Sequence, residues 1–188
     1  IGDIPDVEAG VFHLGGISTR EITTGLLKQL KDRGHRISLD SQTFLRHMEN
    51  GRIVHRDWAK KAEGLRYVDF LKADDIEAKI LTGHDDAESA AKRLSGWGAK
   101  EILLTCKDGV YAYRDGRLYF ERFTSANIRG RTGRGDTTVS SYIARRLDCG
   151  IEESLRFCAA VASIKMETPG PFGKTMKDVE ERLKPHGG

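Results

Sequence analysis

Only three cysteines, Cys106, Cys149 and Cys158, occur in the 188 residues, an odd number without C-x-x-C spacing. This argues against both a disulfide framework and a cysteine-built zinc site. No hydrophobic run approaches the roughly 20 residues of a membrane span, and no signal-peptide pattern is present. A surplus of one charge is lacking as well. The 31 basic residues against 28 acidic ones leave a formal +3 with the signs interspersed, too mild for a nucleic-acid footprint. The six histidines form no H-x-x-x-H pair, which argues against a histidine-held metal. Repeats, low-complexity tracts and long linkers are missing too. The expectation is a cytoplasmic protein, one domain over residues 1–188, long enough to bury a substantial core.

What is there alternates. Val11 to Leu14, Arg36 to Leu39, Tyr67 to Leu71 and Glu101 to Leu104 are short strand-like runs, with helical patterns between them at about Thr19 to Lys31 and Glu88 to Leu94. That order predicts an α/β fold with a parallel sheet covered by helices. Gly109 to Phe123, with Asp115-Gly116 at its middle, reads as a hairpin. From Gly135 onward the chain reads as mostly helical, ending in a helix near Met176 to Leu183. Ligands of open parallel sheets collect at the carboxyl ends of the strands. Here those ends carry Asp40 and Gln42 after the second run, Lys72, Asp74, Asp75 and Glu77 after the third, and Thr105 and Cys106 after the fourth.

The most informative stretch is Gly130-Arg131-Thr132-Gly133-Arg134-Gly135-Asp136-Thr137. Its glycines at 130 and 135 fit the G-x-x-x-x-G frame of a phosphate-binding loop, but the following lysine is replaced by Asp136. A carboxylate beside phosphate is repelled by it, so its presence points to another task, taking the proton of an attacking hydroxyl. Val139, Tyr142, Ile143 and Leu147 then recur at helical spacing. The helix N-terminus would offer free N–H groups to the charge of a transferring phosphoryl group. A plain glycine turn ahead of a helix is the alternative. Arg134-Gly135-Asp136 also spells a cell-adhesion tripeptide, but here it opens an amphipathic helix in a chain lacking an export signal.

The run GRTGRGDT, followed by SSYIARRL and ESLRFCAAVASIKMETPG, resembles the C-terminal signature of the ribokinase-like (PfkB-type) carbohydrate kinases. The resemblance implies a three-layer α/β/α fold with a mostly parallel sheet. It places the catalytic base at Asp136 and the anion hole at Gly133, Arg134 and Gly135. Gly130 stands where the family has an Asp that helps hold a monovalent cation, so that cation is put in doubt. Lys72-Ala73-Asp74-Asp75-Ile76-Glu77-Ala78 is similar to the family's K-P-N-x-x-E-A segment, which implies Lys72 near phosphate and Asp74 and Glu77 ordering Mg²⁺ through water. Asp75 and Glu77 would also suit a first helical turn simply as acidic residues. Thr105, Cys106 and Gly109 resemble the nucleotide-side T-L-G-x-x-G turn, and Ala159, Ala162 and Ser163 the small-residue face offered to adenine; helix packing explains small residues equally well. Asp40 and Gln42 resemble the D-x-N or D-x-Q element on the substrate side, with Arg46 as a further phosphate contact. These segments look closest to the branch of plant-type myo-inositol kinases and sugar kinases.

The implied activity is transfer of the γ-phosphoryl group of ATP, with Mg²⁺, to a hydroxyl of a sugar or polyol. The alternatives are a nucleoside kinase of the same fold and a nucleotide-binding module without catalysis. A dinucleotide-binding oxidoreductase needs G-x-G-x-x-G after the first strand, and the glycine loop here comes late with other spacing. The partner expected is a small-molecule acceptor, with no nucleic acid and no membrane. The resemblance further implies that the family's first strands, much of the sugar pocket and the lid, through which a full-length parent can form a homodimer, lie upstream of Ile1. On that reading the 188-residue chain alone would bind nucleotide weakly and transfer nothing.

Overall fold

The structure is a computed structural model, and it describes residues 7–19, 21–130 and 132–184. Along them run β1 (Phe12–Leu14), α1 (Thr24–Asp32), β2 (Ile37–Asp40), α2 (Gln42–Leu45), β3 (Arg46–Glu49), β4 (Arg52–His55) and α3 (Lys61–Gly64). After a short 3₁₀ turn, Leu65–Tyr67, come β5 (Phe70–Asp74), α4 (Asp75–Thr82), α5 (Ala87–Gly96), β6 (Glu101–Thr105), β7 (Gly109–Arg114) and β8 (Arg117–Arg122). Three helices follow, α6 (Arg134–Arg146), α7 (Ile151–Met166) and α8 (Met176–Leu183). The main sheet has the order β1-β2-β5-β6-β7-β8; its first four strands pair in parallel and the last two antiparallel.

Period-two alternation along the strands builds the layers. Leu71, Ala73, Ile102 and Leu104 point to one face, where they pack with Leu27, Leu30, Ala78, Leu81, Ala91 and Leu94 of α1, α4 and α5. Phe70, Leu103, Val110 and Ala112 point to the other, against Val139, Tyr142, Leu155 and Cys158 of α6 and α7. The result is the helix-sheet-helix arrangement that the alternating sequence predicts, and none of its described helices is long and apolar enough to cross a membrane.

Boundaries differ from the sequence reading for local reasons. The helix placed from Thr19 starts at Thr24, because the Glu21 carboxylate accepts the N–H groups of Ile17 and Ser18 in a turn of its own and Thr23 is the cap, its Oγ1 accepting from Leu26 N. The third strand lies at Phe70–Asp74 rather than Tyr67–Leu71, since Tyr67 closes the 3₁₀ turn and pairing with β6 extends to Asp74 opposite Thr105. Gly109–Phe123 is indeed a hairpin, turning at Asp115 (φ 50°) and Gly116 (φ 82°).

A second hairpin escaped the sequence reading. β3 and β4 form a separate two-stranded sheet turning at Asn50 (φ 50°) and Gly51 (φ 75°), an Asn-Gly pair of the kind that two-residue hairpins favour. It leaves Met48, Ile53 and Val54 exposed.

Two buried carboxylates lock the layers. Asp69 accepts from Ile37 N–H and pairs with Lys31 and Lys100, which together outweigh burial and hold its pKa below the usual range. Glu101, at the start of β6 and 1% exposed, accepts from the Tyr142 hydroxyl at 2.6 Å and from the guanidinium groups of Arg114 and Arg146. Burial and the Glu101 carboxylate drive the Tyr142 pKa far upward. Because Tyr142 and Arg146 both belong to α6, this cluster fixes the helix lengthwise and so sets where its N-terminus meets the sheet.

Candidate active site

Parallel pairing places Asp40 opposite Lys72 and Asp74 opposite Thr105, so the carboxyl ends of β2, β5 and β6 form one polar edge. Over that edge lies a cleft of about 470 Å³ lined by Asp40, Gln42, Arg46, Lys72, Asp74, Thr105, Gly133, Arg134, Gly135 and Asp136, together with Ile17 and Thr132. Residues up to 119 positions apart, from Ile17 to Asp136, thus share a single concavity. Ile17 and Thr132 were not singled out from sequence. Arg46 reaches the cleft as the first residue of β3, and its carbonyl accepts from Thr19 N–H.

The glycine loop enters α6 through Gly133, the N-cap, in the left-handed conformation at φ 78°. A non-glycine residue there would be strained. Arg134 is the first helical residue, one earlier than Gly135, and Asp136 lies in the first turn. The Arg134 guanidinium sits 5.8 Å from the Phe123 ring centroid. Gly135 is required by close approach, since a Cβ on it would stand 3.1 Å from Lys72 Nζ. At Gly130 a Cβ would meet Pro169 Cα at 3.1 Å, which leaves no room for the family's Asp at that position without movement.

Below the loop lies a buried charge cluster. Lys72 Nζ is 3.1 Å from Asp40 Oδ2 and 3.5 Å from Glu77 Oε2, with all three side chains 6% exposed or less. Burial disfavours the lysine charge, but Asp40 and Glu77 more than compensate and raise its pKa. Burial raises the pKa of both Asp40 and Glu77, with Lys72 opposing it. Asp74 and Glu77 make a capping box at α4: Asp74 Oδ1 accepts from Glu77 N–H, and Glu77 Oε2 accepts from Asp74 N–H, each at 2.8 Å. Helix-start chemistry therefore accounts for these contacts of Glu77, and Asp75 lies with it in the first turn. Glu77 Oε1, however, is buried without a hydrogen-bond partner, and Asp74 faces the cleft. No group of three or more metal-ligating side chains is present among the described residues. The arrangement fits a Mg²⁺ carried on donor phosphates and touched through water, a mode that this hard, slowly dehydrating ion favours.

Other singled-out residues lie elsewhere. Cys106 Sγ donates to Gly109 O, and Gly109 is crowded by β8, where a Cβ would stand 2.3 Å from Glu121 O. Gly109 is thus explained by strand packing. Ala159, Ala162 and Ser163 are 0–1% exposed. The Ser163 hydroxyl accepts from Thr124 N–H and donates to Ala159 O. None of these five lines the cleft. His13, passed over in sequence, has Nδ1 2.9 Å from Ser38 Oγ and a pKa lowered by burial, with Asp136 close enough to oppose the shift.

The model of the pfkB family carbohydrate kinases matches residues 11–176, a span that holds the whole cleft. The chain belongs to the pfkB carbohydrate kinase family. Among this family's relatives, the cytidine kinase of Thermococcus kodakarensis is 32% identical over 154 residues, 77% of this chain and 51% of that protein. Among solved structures, a pyrophosphate-dependent kinase in the ribokinase family, complexed with a pyrophosphate analog and myo-inositol, matches with TM-score 0.86 and 35% identity over 94% of this chain and 64% of that one. Arabidopsis thaliana ribokinase, complexed with ribose and ATP, matches with TM-score 0.75 and 25% identity over 94% and 56%. The fold is ribokinase-like. The chain spans about half the length of the cytidine kinase and less than two thirds of these two structures.

Proposed function

We propose that the protein takes part in phosphoryl transfer from a phosphate donor to a hydroxyl of a small sugar, polyol or nucleoside. The observation that carries this reading is the single cleft joining a base, Asp136, to a helix N-terminus and to the basic side chains Lys72, Arg134 and Arg46. Little covalent work falls to a protein in such a reaction; it positions reactants and stabilises charge. Asp136 accepts the proton of the attacking hydroxyl, and the N–H groups of the Gly133 to Gly135 segment receive the phosphoryl oxygens. Asp40, Gln42 and Arg46 face the side from which an acceptor would approach. Bound Mg²⁺ would neutralise charge on the donor phosphates, with Asp74 and Glu77 orienting its waters.

ATP is the donor implied by the family signature. Pyrophosphate is the second reading, favoured by two observations: the likeness to a pyrophosphate-dependent kinase, and the sealing of Ala159, Ala162 and Ser163, the face otherwise offered to adenine. A panel of both donors against sugars, polyols and nucleosides, with product phosphate ester as readout, separates these readings. No ester with any pair, from this chain or from a preparation that also carries the family's acceptor-side strands, would leave the binding-module alternative.

Arg134 provides a narrower test. Arg134 lines the cleft, and Arg134→Ala is expected to weaken donor binding by about 1–3 kcal/mol, the scale of a charge-assisted hydrogen bond. Calorimetry at low salt with a non-hydrolysable donor checks this. Unchanged affinity would assign the guanidinium to Phe123 alone.

A further inference from the structure

Beside the pair of Asp40 and Lys72 lies a second polar row that the transfer chemistry leaves unused. Leu39 and Leu71 pack on the α4 and α5 side of the sheet, so their strand neighbours Ser38, Asp40 and Lys72 point to the α6 side. Val11 packs with Val139 and Tyr142, which puts His13, two residues on, on that same side. His13 stands opposite Ser38 in the pairing of β1 with β2, and its Nδ1 lies 2.9 Å from Ser38 Oγ. Nε2 is the nitrogen left over. It points along the strand toward the cleft, since a Cβ on Gly15 would stand 3.1 Å from it. Asp136 meets this row from above: it shares one stripe of α6 with Val139, three residues on, and Val139 is packed against the sheet.

The two groups act on one another, because the Asp136 carboxylate works against the burial that lowers the His13 pKa, while Lys72 adds to it. A ring kept neutral near neutral pH holds a free lone pair, and imidazole is ordinarily a stronger base than a carboxylate by about 2 pKa units. A carboxylic acid formed beside it gives up its proton readily. His13 also keeps exposed surface on β1, the outermost strand of the main sheet among the described residues. We propose that His13 is a positioning residue for proton release, acting through Asp136 and taking over the proton that the acceptor hydroxyl gives up. The inference rests on the phosphoryl-transfer reading. As the bond from acceptor oxygen to phosphorus forms and the bond to the leaving oxygen breaks, the hydroxyl proton passes to Asp136. From there it moves to Nε2 of a neutral His13 whose own hydrogen, on Nδ1, is donated to Ser38 Oγ. The imidazolium then loses it to water at the open side of β1, and Asp136 regains its charge for the next turnover. The other charged groups on this side of the sheet are Lys72 of β5, Asp40 of β2 and, ahead of Ser38, Arg36 over the Phe70 ring.

One arm of the test needs no turnover. The His13 ring of this chain is titrated by NMR, beside an Asp136→Asn variant. The wild-type ring is expected to carry its neutral-form hydrogen on Nδ1, and its midpoint is expected to fall when the Asp136 charge is removed, because the carboxylate favours the imidazolium. An unchanged midpoint, or a neutral ring with its hydrogen on Nε2, would overturn the proposal. The second arm uses a preparation that forms phosphate ester. His13→Gln retains a polar group near Ser38 but cannot take up a proton, so turnover about 10-fold lower or more is expected near neutral pH, with both KM values unchanged and partial recovery on adding imidazole. Turnover within about threefold of wild type would overturn the role of His13, as would a loss carried by KM or one that imidazole does not relieve, since these mark a structural or acceptor-binding part. Such results leave the phosphoryl-transfer reading standing. That reading falls if no preparation forms ester, and the role of His13 falls with it.

Discussion

Asp136→Asn is expected to lower turnover by about two to four orders of magnitude while leaving donor binding nearly intact, as befits a positioned general base. The amide keeps the size of the carboxylate in the first turn of α6 and cannot take a proton. On the proposed reading donor binding draws on the glycine loop and not on the Asp136 carboxylate, so the two measurements should separate. Turnover and donor affinity are compared in a preparation that forms phosphate ester, beside wild type. A variant within about threefold of wild-type turnover would remove Asp136 from the role of base.

Lys72→Met is expected to destabilise the fold by about 3–5 kcal/mol near neutral pH, the usual consequence of leaving a buried charge without its partner. Here two carboxylates, Asp40 and Glu77, are left facing each other beneath the cleft. The sign of the pH dependence follows. Both carboxyls already have raised pKa values through burial, and losing Lys72 raises them further. An acid whose folded pKa exceeds its unfolded value, about 4, gives most stability when protonated and loses it as pH rises through the folded value. The variant should therefore recover part of its deficit as pH falls from 8 toward 5. Urea unfolding across that range checks it, and a gap from wild type that does not narrow on acidification would show that the pair is not the source.

The parts of the fold legible in sequence were those set by local pattern. Alternation of Leu71 and Ala73 with Phe70, and the Asp115-Gly116 turn, are periodicities and turn chemistry that survive without tertiary context. Asn50-Gly51 carries the same turn signal, but its flanks, Arg46 to Glu49 and Arg52 to His55, are short and each holds charged residues, so no strong strand pattern surrounds it. The glycine loop was legible because its residues are contiguous. Ser163 shows the converse: small residues on a helix face look the same whether a ring or a neighbouring backbone covers them, and here Thr124 N–H does.

The three glycines of the loop answer to three different parts of the molecule, and this bears on how its sequence can drift. At Gly133 the obstacle is the backbone angle itself, so Asn or Asp are the replacements with the least strain. At Gly135 the obstacle is the far end of Lys72, so a side chain there displaces the ammonium by a few tenths of an ångström, and the two positions are coupled. At Gly130 the obstacle is the Pro169 backbone, which no single side-chain exchange elsewhere relieves. Drift at the first position is therefore limited by strain, at the second by how far the Lys72 side chain can shift, and at the third by a backbone that must give by a few tenths of an ångström.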